Sequence, residues 1–306
     1  MEYRRLGKTG LKVSCIALGT VELGMDYGIE VPGEFGKPDK RTAERILHKA
    51  LDFGINLFDT ASTYGDSESL LGSAIGGESC YIATKVNIPF EGYEASGVIR
   101  NSIERSLKNL RREYLDILQI HNATAEILKR SDVLENLLEF RKKGLARFIG
   151  ASVYETRNAL AVIESGCLDI IQIAFNVLDQ SMAKNVIPKA SEAGVGVLSR
   201  STYLKGVLTS KVEFLTDKYE VLINAVSDLK DKLYFQDNTD LSEFALRYCV
   251  STPGIDSVIV GVRTESELDA AIDIEGKGKL ADDVYKKALS LGIKDEYWLN
   301  PANWPL

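Results

Sequence analysis

The sequence has few residues of the kinds that hold metals or form disulfides. Among its 306 residues there are only two histidines, His48 and His121, and four scattered cysteines without a C-x-x-C pair. A structural zinc site or any other metal site is therefore not expected. Each cysteine lies in or beside an apolar stretch, so we expect free thiols in a reducing compartment. The four are Cys15, Cys80, Cys167 and Cys249.

Long apolar runs and an excess of positive charge are also missing. No run approaches the length that spans a membrane, and the first residues lack the apolar segment of a signal peptide. The formal net charge is -7, which argues against a nucleic-acid partner because binding to duplexes depends largely on neutralising phosphates. We therefore expect a cytoplasmic protein that binds neither membranes nor nucleic acid.

A glycine-rich dinucleotide loop is absent as well. No G-x-G-x-x-G follows an apolar segment, which removes the main sequence support for a doubly wound sheet, the alternative architecture. Eight apolar segments of strand character instead alternate with helical periodicity, which predicts parallel pairing and a closed (β/α)8 TIM barrel. The predicted helices include residues 42–53, 67–75, 96–110, 133–143, 157–165, 183–193 and 281–291.

The whole chain is expected to form one barrel domain over residues 1–306. Residues 1–14 predict a β-hairpin with a turn at Gly7 and Gly10, and we expect it to close the bottom of the barrel. The long glycine-punctuated loop at residues 22–40 should form one wall of a pocket. Residues 292–306 form a C-terminal tail.

Three of the predicted strands end on groups that can do chemistry. The apolar stretch that begins at Asn56 runs into Asp59 and, five residues later, Tyr64, while the next two strands end on Lys85 and His121. Active sites of barrels collect at the carboxyl ends of the strands, so we expect these four side chains to meet. Taken singly, Asp59 could be a helix N-cap, Lys85 a solvated side chain and His121 a core histidine.

The four groups together suit carbonyl reduction. A buried Lys85 ammonium beside Tyr64 would lower the pKa of the phenol, and Asp59 would keep that lysine charged and oriented. Tyr64 would then act as a general acid, while His121 donates a hydrogen bond to the carbonyl oxygen. No side chain delivers a hydride, so a cofactor is implied.

This arrangement resembles the aldo-keto reductase superfamily. The family's signature is an Asp and a Tyr in a D-T-A-x-x-Y-G setting, then a Lys that ends the next strand and a His that ends the one after. Asp59, Tyr64, Lys85 and His121 follow that order, and the resemblance runs from about residue 3 to residue 271. It implies an NADPH-dependent reductase of a small aldehyde or ketone, as a monomer or weak homo-oligomer.

The resemblance also implies where a nicotinamide cofactor would lie. Residues 198–206 resemble the loop that holds the pyrophosphate, with Arg200 where an aromatic ring commonly stacks on the nicotinamide. Residues 259–268 resemble the turn that binds the adenosine, and Val153 stands where the family often has an Asn. The cofactor contacts expected are Gly19, Thr20, Asp59, Ser152, Gln172, Ser199, Arg200, Ser201, Tyr203, Leu204, Gly206, Gly261, Val262, Arg263 and Glu267.

Two details of the site have competing interpretations. Arg263 could clamp a ribose 2′-phosphate, which favours NADPH over NADH, but Glu265 and Glu267 favour a free ribose hydroxyl, and Arg263 could simply pair with one of them. Trp298 could line the substrate pocket or pack the tail on the barrel wall. The expected substrate pocket consists of Val21, Tyr27, Phe90 and Trp298.

Two other functions use the same residues differently. In a Schiff-base lyase or aldolase, Lys85 would be the nucleophile. In a regulatory subunit, the chain would bind NADP(H) without useful turnover.

Overall fold

Eight parallel strands close into a barrel, and an antiparallel two-stranded hairpin precedes them. The computed structural model describes residues 1–33, 35–89, 95–233 and 239–304. Barrel strands follow one another in chain order, and the last pairs with the first. The predicted (β/α)8 barrel is confirmed. The strands are β1 (Tyr3–Arg5), β2 (Lys12–Ser14), β3 (Ile16–Gly19), β4 (Leu57–Asp59), β5 (Tyr81–Val86), β6 (Leu115–Ile120), β7 (Ala146–Val153), β8 (Ile170–Ala174), β9 (Gly196–Arg200) and β10 (Ser257–Gly261).

Helices connect the strands and cover the outside of the barrel. They are α1 (Val21–Gly24), α2 (Lys40–Asp52), α3 (Ser67–Ile75), α4 (Ala95–Leu110), α5 (Ala125–Leu128), α6 (Ser131–Lys142), α7 (Thr156–Glu164), α8 (Val186–Ala193), α9 (Glu220–Leu233), α10 (Thr239–Ser251), α11 (Glu265–Gly276), α12 (Asp282–Ala288) and α13 (Glu296–Leu299). Short 3₁₀ helices lie at Gly7–Thr9, Leu204–Gly206, Ser210–Phe214, Asp217–Tyr219 and Pro301–Asn303. None of the helices in the described ranges is long and apolar enough to cross a membrane.

Helix α2 illustrates how the sequence pattern produces the outer layer. It begins after Asp39, whose carboxylate accepts a hydrogen bond from the Thr42 amide at 2.9 Å, as a good N-cap does. Its buried residues are Ala43, Ile46, Leu47 and Ala50. This spacing places them on one face of the helix, which packs on the barrel.

The hairpin closes the amino-terminal end of the barrel. Leu6, Leu11 and Val13 are buried in one cluster with residues from seven of the barrel strands, among them Leu57 and Leu198. The hairpin turn bonds to segments that precede strands: the Gly7 amide donates to Asp256 and the Lys8 amide to the Gly194 carbonyl. The barrel interior is therefore a packed core at this end, and a cleft can open only at the other.

Candidate active site

Asp59 and Lys85 form a buried ion pair where β4 and β5 end. Lys85 Nζ lies 2.7 Å and 2.6 Å from the two Asp59 oxygens and donates to the Thr60 carbonyl at 2.8 Å. The Lys85 side chain is 0% exposed. Gln172 on β8 donates to Asp59 Oδ1 at 2.7 Å. All three ammonium protons thus have acceptors, which is the condition for burying a lysine.

Tyr64 and His121 lie side by side above that pair. Tyr64 Oη is 3.5 Å from His121 Nε2, and the two rings meet edge to face with centroids 5.5 Å apart. Thr63 Oγ1 is 3.4 Å from His121 Nδ1, the other ring nitrogen. Lys85 Nζ lies 5.1 Å from the centre of the Tyr64 ring. The four predicted side chains therefore converge at one point on the carboxyl-terminal face of the barrel.

The prediction that the pKa of the Tyr64 phenol is lowered is wrong. Burial, and next the charge of Asp59, raise the pKa of Tyr64 well above its ordinary value. Because the carboxylate of Asp59 is bonded directly to the Lys85 ammonium, it offsets the field of that cation at the ring. Arg200 acts in the opposite direction but does not outweigh burial. Tyr64 is consequently a protonated phenol at neutral pH.

Burial also sets the protonation state of His121. Burial lowers the pKa of His121 to about 3, and the positive charges of Lys85 and Arg200 act in the same direction to a smaller extent. The imidazole is therefore neutral, with one nitrogen that donates and one that accepts. Burial lowers the pKa of Lys85 as well, because the contacts with Asp59 offset only part of the loss of solvation.

A cleft of about 420 Å³ opens beside Tyr64 and His121 and is also lined by Arg263 and Glu267, which follow β10. Most of the residues expected to bind the cofactor or the substrate line it. They are Gly19, Thr20, Val21, Tyr27, Asp59, Ser152, Arg200, Ser201, Tyr203, Gly206, Gly261, Val262, Arg263 and Glu267.

Arg200 lies where the resemblance expects a stacking residue. Its guanidinium carbon is 3.9 Å from the centre of the Tyr154 ring, within the range of a cation–π contact. Nε donates to Ser152 Oγ at 3.3 Å and Nη2 to the Val153 carbonyl at 3.1 Å. These contacts hold the guanidinium in the cleft. Tyr154 was not predicted, although its position just after β7 marks the carboxyl-terminal face.

The part of the cleft around α11 carries two cations and a carboxylate. Glu267 accepts from Lys211 Nζ at 2.7 Å and from the Arg263 amide at 2.6 Å. The buried Nη1 of Arg263 has no hydrogen-bond partner among the described residues. Glu265 pairs with Arg45 on the protein surface. The guanidinium of Arg263 is thus available to an anion in the cleft.

Several predicted site residues lie outside the cleft lining. Lys85 and Gln172 lie beneath it, in contact with Asp59. Ser199 and Leu204 are fully buried and do not line the cleft. Trp298 packs edge to face on Tyr219 with ring centroids 6.4 Å apart. Phe90 falls outside the described residues.

Other lining residues were not predicted. Lys205 has its ammonium 5.2 Å from the centre of the Tyr27 ring, and Lys211 lines the cleft near Glu267. Glu22 is an unexpected carboxylate in the same cleft. Lys205 and Lys211 lie in or near the loop at residues 198–206 that the resemblance assigned to the pyrophosphate. For Glu22, its position just after β3 is the one sequence feature that could have indicated a place in the cleft.

Comparison with known proteins assigns the chain to a family. The model of the aldo/keto reductase family matches residues 15–292. The chain is similar to the aldo-keto reductase YhdN of Bacillus subtilis (strain 168), with 26% identity over 305 residues, 90% of this chain and 89% of the relative. It is similar to the L-galactose dehydrogenase of Arabidopsis thaliana, with 30% identity over 302 residues, 91% of this chain and 90% of the relative.

A solved structure shares the fold. The holo form of an aldo-keto reductase from Bacillus halodurans has 24% identity and a TM-score of 0.80, and the match covers 96% of this chain and 97% of that one. The family match over residues 15–292, the relatives of similar length and the shared barrel lead to one conclusion. The chain belongs to the aldo/keto reductase family.

Proposed function

We propose that the chain is an NADPH-dependent oxidoreductase that reduces an aldehyde or ketone, with Tyr64 as the general acid. The observation that carries this proposal is the phenol of Tyr64 beside the neutral imidazole of His121, 3.5 Å apart at the cleft and above the buried pair of Asp59 and Lys85. Such a pair offers two hydrogen-bond donors to one carbonyl oxygen.

The residues of the chain divide the chemistry between them. A bound nicotinamide cofactor would supply the hydride. Tyr64 Oη and His121 Nε2 would both donate to the carbonyl oxygen and draw electron density away from the carbonyl carbon. Tyr64 would give its proton to the carbonyl oxygen as negative charge develops there. The ammonium of Lys85, 5.1 Å from the ring centre, would offset part of the negative charge left on Tyr64, although the bonded Asp59 carboxylate weakens its field there.

The cleft has partners for the anionic part of a dinucleotide. Arg263 presents a buried Nη1 without a partner among the described residues, and Lys211 lies nearby. A buried donor left unpaired is costly, and a phosphate oxygen would satisfy it. Arg263 would hold the 2′-phosphate, which supports NADPH as the cofactor. Ser152 and Arg200 would bind at the nicotinamide end.

The Schiff-base alternative has little support. Lys85 is 0% exposed, and its three bonds to Asp59 and Thr60 leave it no room for attack on a substrate. A nucleophilic lysine needs an accessible lone pair. The buried amine suits a positioning role for Tyr64 better.

Replacement of Tyr64 by Phe tests the assignment of the acid. The variant keeps the ring and loses the proton donor, so kcat for reduction should fall by about 100-fold or more, which is the usual contribution of a general acid. The dissociation constant for NADPH should stay within about threefold, since the phenol hydroxyl is not needed to bind the phosphates. Single-turnover oxidation of NADPH with a panel of aldehydes and ketones measures the first quantity, and fluorescence titration the second.

Tyr154→Phe is the matched control, because Tyr154 also lines the cleft but lies against Arg200. It should retain most of the turnover. Undiminished turnover in Tyr64→Phe would refute the assignment. Tight NADPH binding without turnover of any carbonyl by the unmodified protein would favour a regulatory subunit instead.

A further inference from the structure

A carboxylate lies in the cleft beside Gly261, within the segment 259–268 that resembles the adenosine-binding turn. Glu22 lies in α1, directly after β3, and its side chain extends to Gly261 at the end of β10. The contact is so close that a methyl group at Gly261 would collide with both carboxylate oxygens. Glu22 and Gly261 both line the cleft, so the carboxylate lies inside it and not behind its wall.

Within the described part of the chain, one oxygen of this carboxylate lacks the partner that usually accompanies a buried charge. Glu22 Oε2 is buried and has no hydrogen-bond partner among the described residues. Arg263 Nη1, a donor in the same cleft, is likewise buried and unpaired. Burying a carboxylate without a hydrogen-bonded cation is costly, and such a group tends to bind a proton instead.

Charged groups face Glu22 from two other elements, and Tyr27 faces it from the loop that follows α1. Glu267 on α11 repels it, whereas Arg263 and Lys211 attract it. Burial is the dominant influence and, together with the repulsion from Glu267, raises the pKa of Glu22 to about 7, although a hydrogen bond from its own backbone amide acts in the opposite direction. Glu267 keeps its charge because its bonds to Lys211 and to the Arg263 amide outweigh its own burial and lower its pKa.

We propose that Glu22 makes cofactor binding depend on proton uptake: its carboxyl group must be protonated before the phosphate-bearing part of the dinucleotide can lie beside Gly261. This inference rests on the proposed function. The pyrophosphate carries two negative charges, and like charges in a poorly solvated cleft repel strongly. A protonated Glu22 loses this repulsion and becomes a hydrogen-bond donor to phosphate oxygen.

The direction of the pH dependence follows from linkage. Below the pKa of free Glu22 the group is already protonated, and affinity does not change with pH. Above it, each unit of pH lowers the affinity by up to about tenfold, because binding takes up one proton and the proton concentration falls tenfold per unit. NADH is the cleaner probe, since its pyrophosphate keeps a constant charge, whereas the 2′-phosphate of NADPH loses a proton near about pH 6.

The test measures binding and not activity. Dissociation constants for NADH and NADPH would be determined by isothermal titration calorimetry from about pH 6 to about pH 8.5, in buffers of different ionisation enthalpy. For the unmodified protein we expect about 30-fold weaker NADH binding at the alkaline end, and an uptake of about one proton per cofactor there. Glu22→Gln should bind NADH with no such loss and without proton uptake.

Glu30→Gln is the matched control, because Glu30 is an exposed carboxylate in the loop that follows α1 and its substitution removes the same charge outside the cleft. It should behave as the unmodified protein. A pH dependence and proton uptake that persist in Glu22→Gln would overturn the inference, as would flat binding in the unmodified protein. A chain that holds no nicotinamide cofactor, against the proposed function, would give a different result, because neither cofactor would then bind any of the three proteins at about pH 6.

Discussion

The buried pair of Asp59 and Lys85 contributes both to the candidate site and to the stability of the fold. Replacing Lys85 by Met leaves the Asp59 carboxylate buried with only the Gln172 amide as a side-chain partner. We expect this change to lower the free energy of unfolding by about 3–5 kcal/mol, as removal of one partner of a buried pair does. Urea denaturation followed by circular dichroism measures it.

The double variant Asp59→Asn with Lys85→Met should recover most of that loss, because it leaves no buried charge. Lys143→Met breaks the exposed pair with Glu139 and should change stability by less than about 1 kcal/mol. A Lys85→Met protein as stable as the unmodified one would contradict the account of the pair.

The pKa values at the centre predict how turnover depends on pH. Burial raises the pKa of Tyr64 well above its ordinary value and lowers that of His121 to about 3. The phenol is a proton donor below its pKa, and the imidazole is neutral above its own. With saturating cofactor, kcat for reduction should therefore stay constant from about pH 6 to about pH 9 and fall only when the phenol ionises.

Stopped-flow measurement of the reduction rate at saturating cofactor checks this expectation. A loss of kcat with an apparent pKa near 7 would contradict it. The effect proposed for Glu22 changes the dissociation constant of the cofactor and does not change kcat measured at saturating cofactor.

Among the structural elements, the hairpin offers the sharpest test of packing. Gly7 and Gly10 flank its turn, and both have positive φ angles, 49° and 78°. A methyl group at Gly7 would collide with the backbone of Gly194 and Gly196, whereas nothing lies within 4 Å of one at Gly10. An alanine would strain the backbone at both positions, but only at Gly7 would its methyl group also collide with neighbouring atoms.

Gly10→Ala should lower the free energy of unfolding by about 1–2 kcal/mol, the cost of a left-handed conformation for alanine. Gly7→Ala should cost about 3 kcal/mol or more, because the hairpin must also move away from β9. Chemical denaturation of both variants makes the comparison. Equal losses of unfolding free energy in the two variants would mean that the hairpin does not pack closely against the bottom of the barrel.

At the scale of the whole molecule, the cleft joins strand ends and loops from distant parts of the chain. A cofactor that binds only the folded protein stabilises it by about 2.7 kcal/mol at a concentration of about 100 times its dissociation constant. NADPH should raise Tm by several degrees and, at equal concentration and about pH 6, by more than NADH does, because under our proposal Arg263 would bind the 2′-phosphate.

Differential scanning calorimetry with each cofactor measures the two shifts. Arg263→Leu should reduce the shift with NADPH to that with NADH. A larger shift with NADH in the unmodified protein would refute the choice of NADPH.

The sequence by itself determined the architecture and the identity of the four central residues. Strand and helix periodicities are local properties of the chain, and eight alternating units have few ways to pack other than as a closed parallel barrel. The carboxyl ends of parallel strands meet at one face, so the positions of Asp59, Lys85 and His121 along the chain were enough to bring them together. The order of these groups also carried the resemblance to the family.

Only the tertiary structure decided how those groups are solvated and what else enters the cleft. The direction of the Tyr64 pKa shift was predicted wrongly, because it depends on the burial of the phenol and on the nearby charge of Asp59. Glu22 contacts Gly261, which is far along the chain, only because β10 pairs with β3 as the barrel closes. Burial and contacts of this kind are properties of the closed barrel, and no local pattern of residues encodes them.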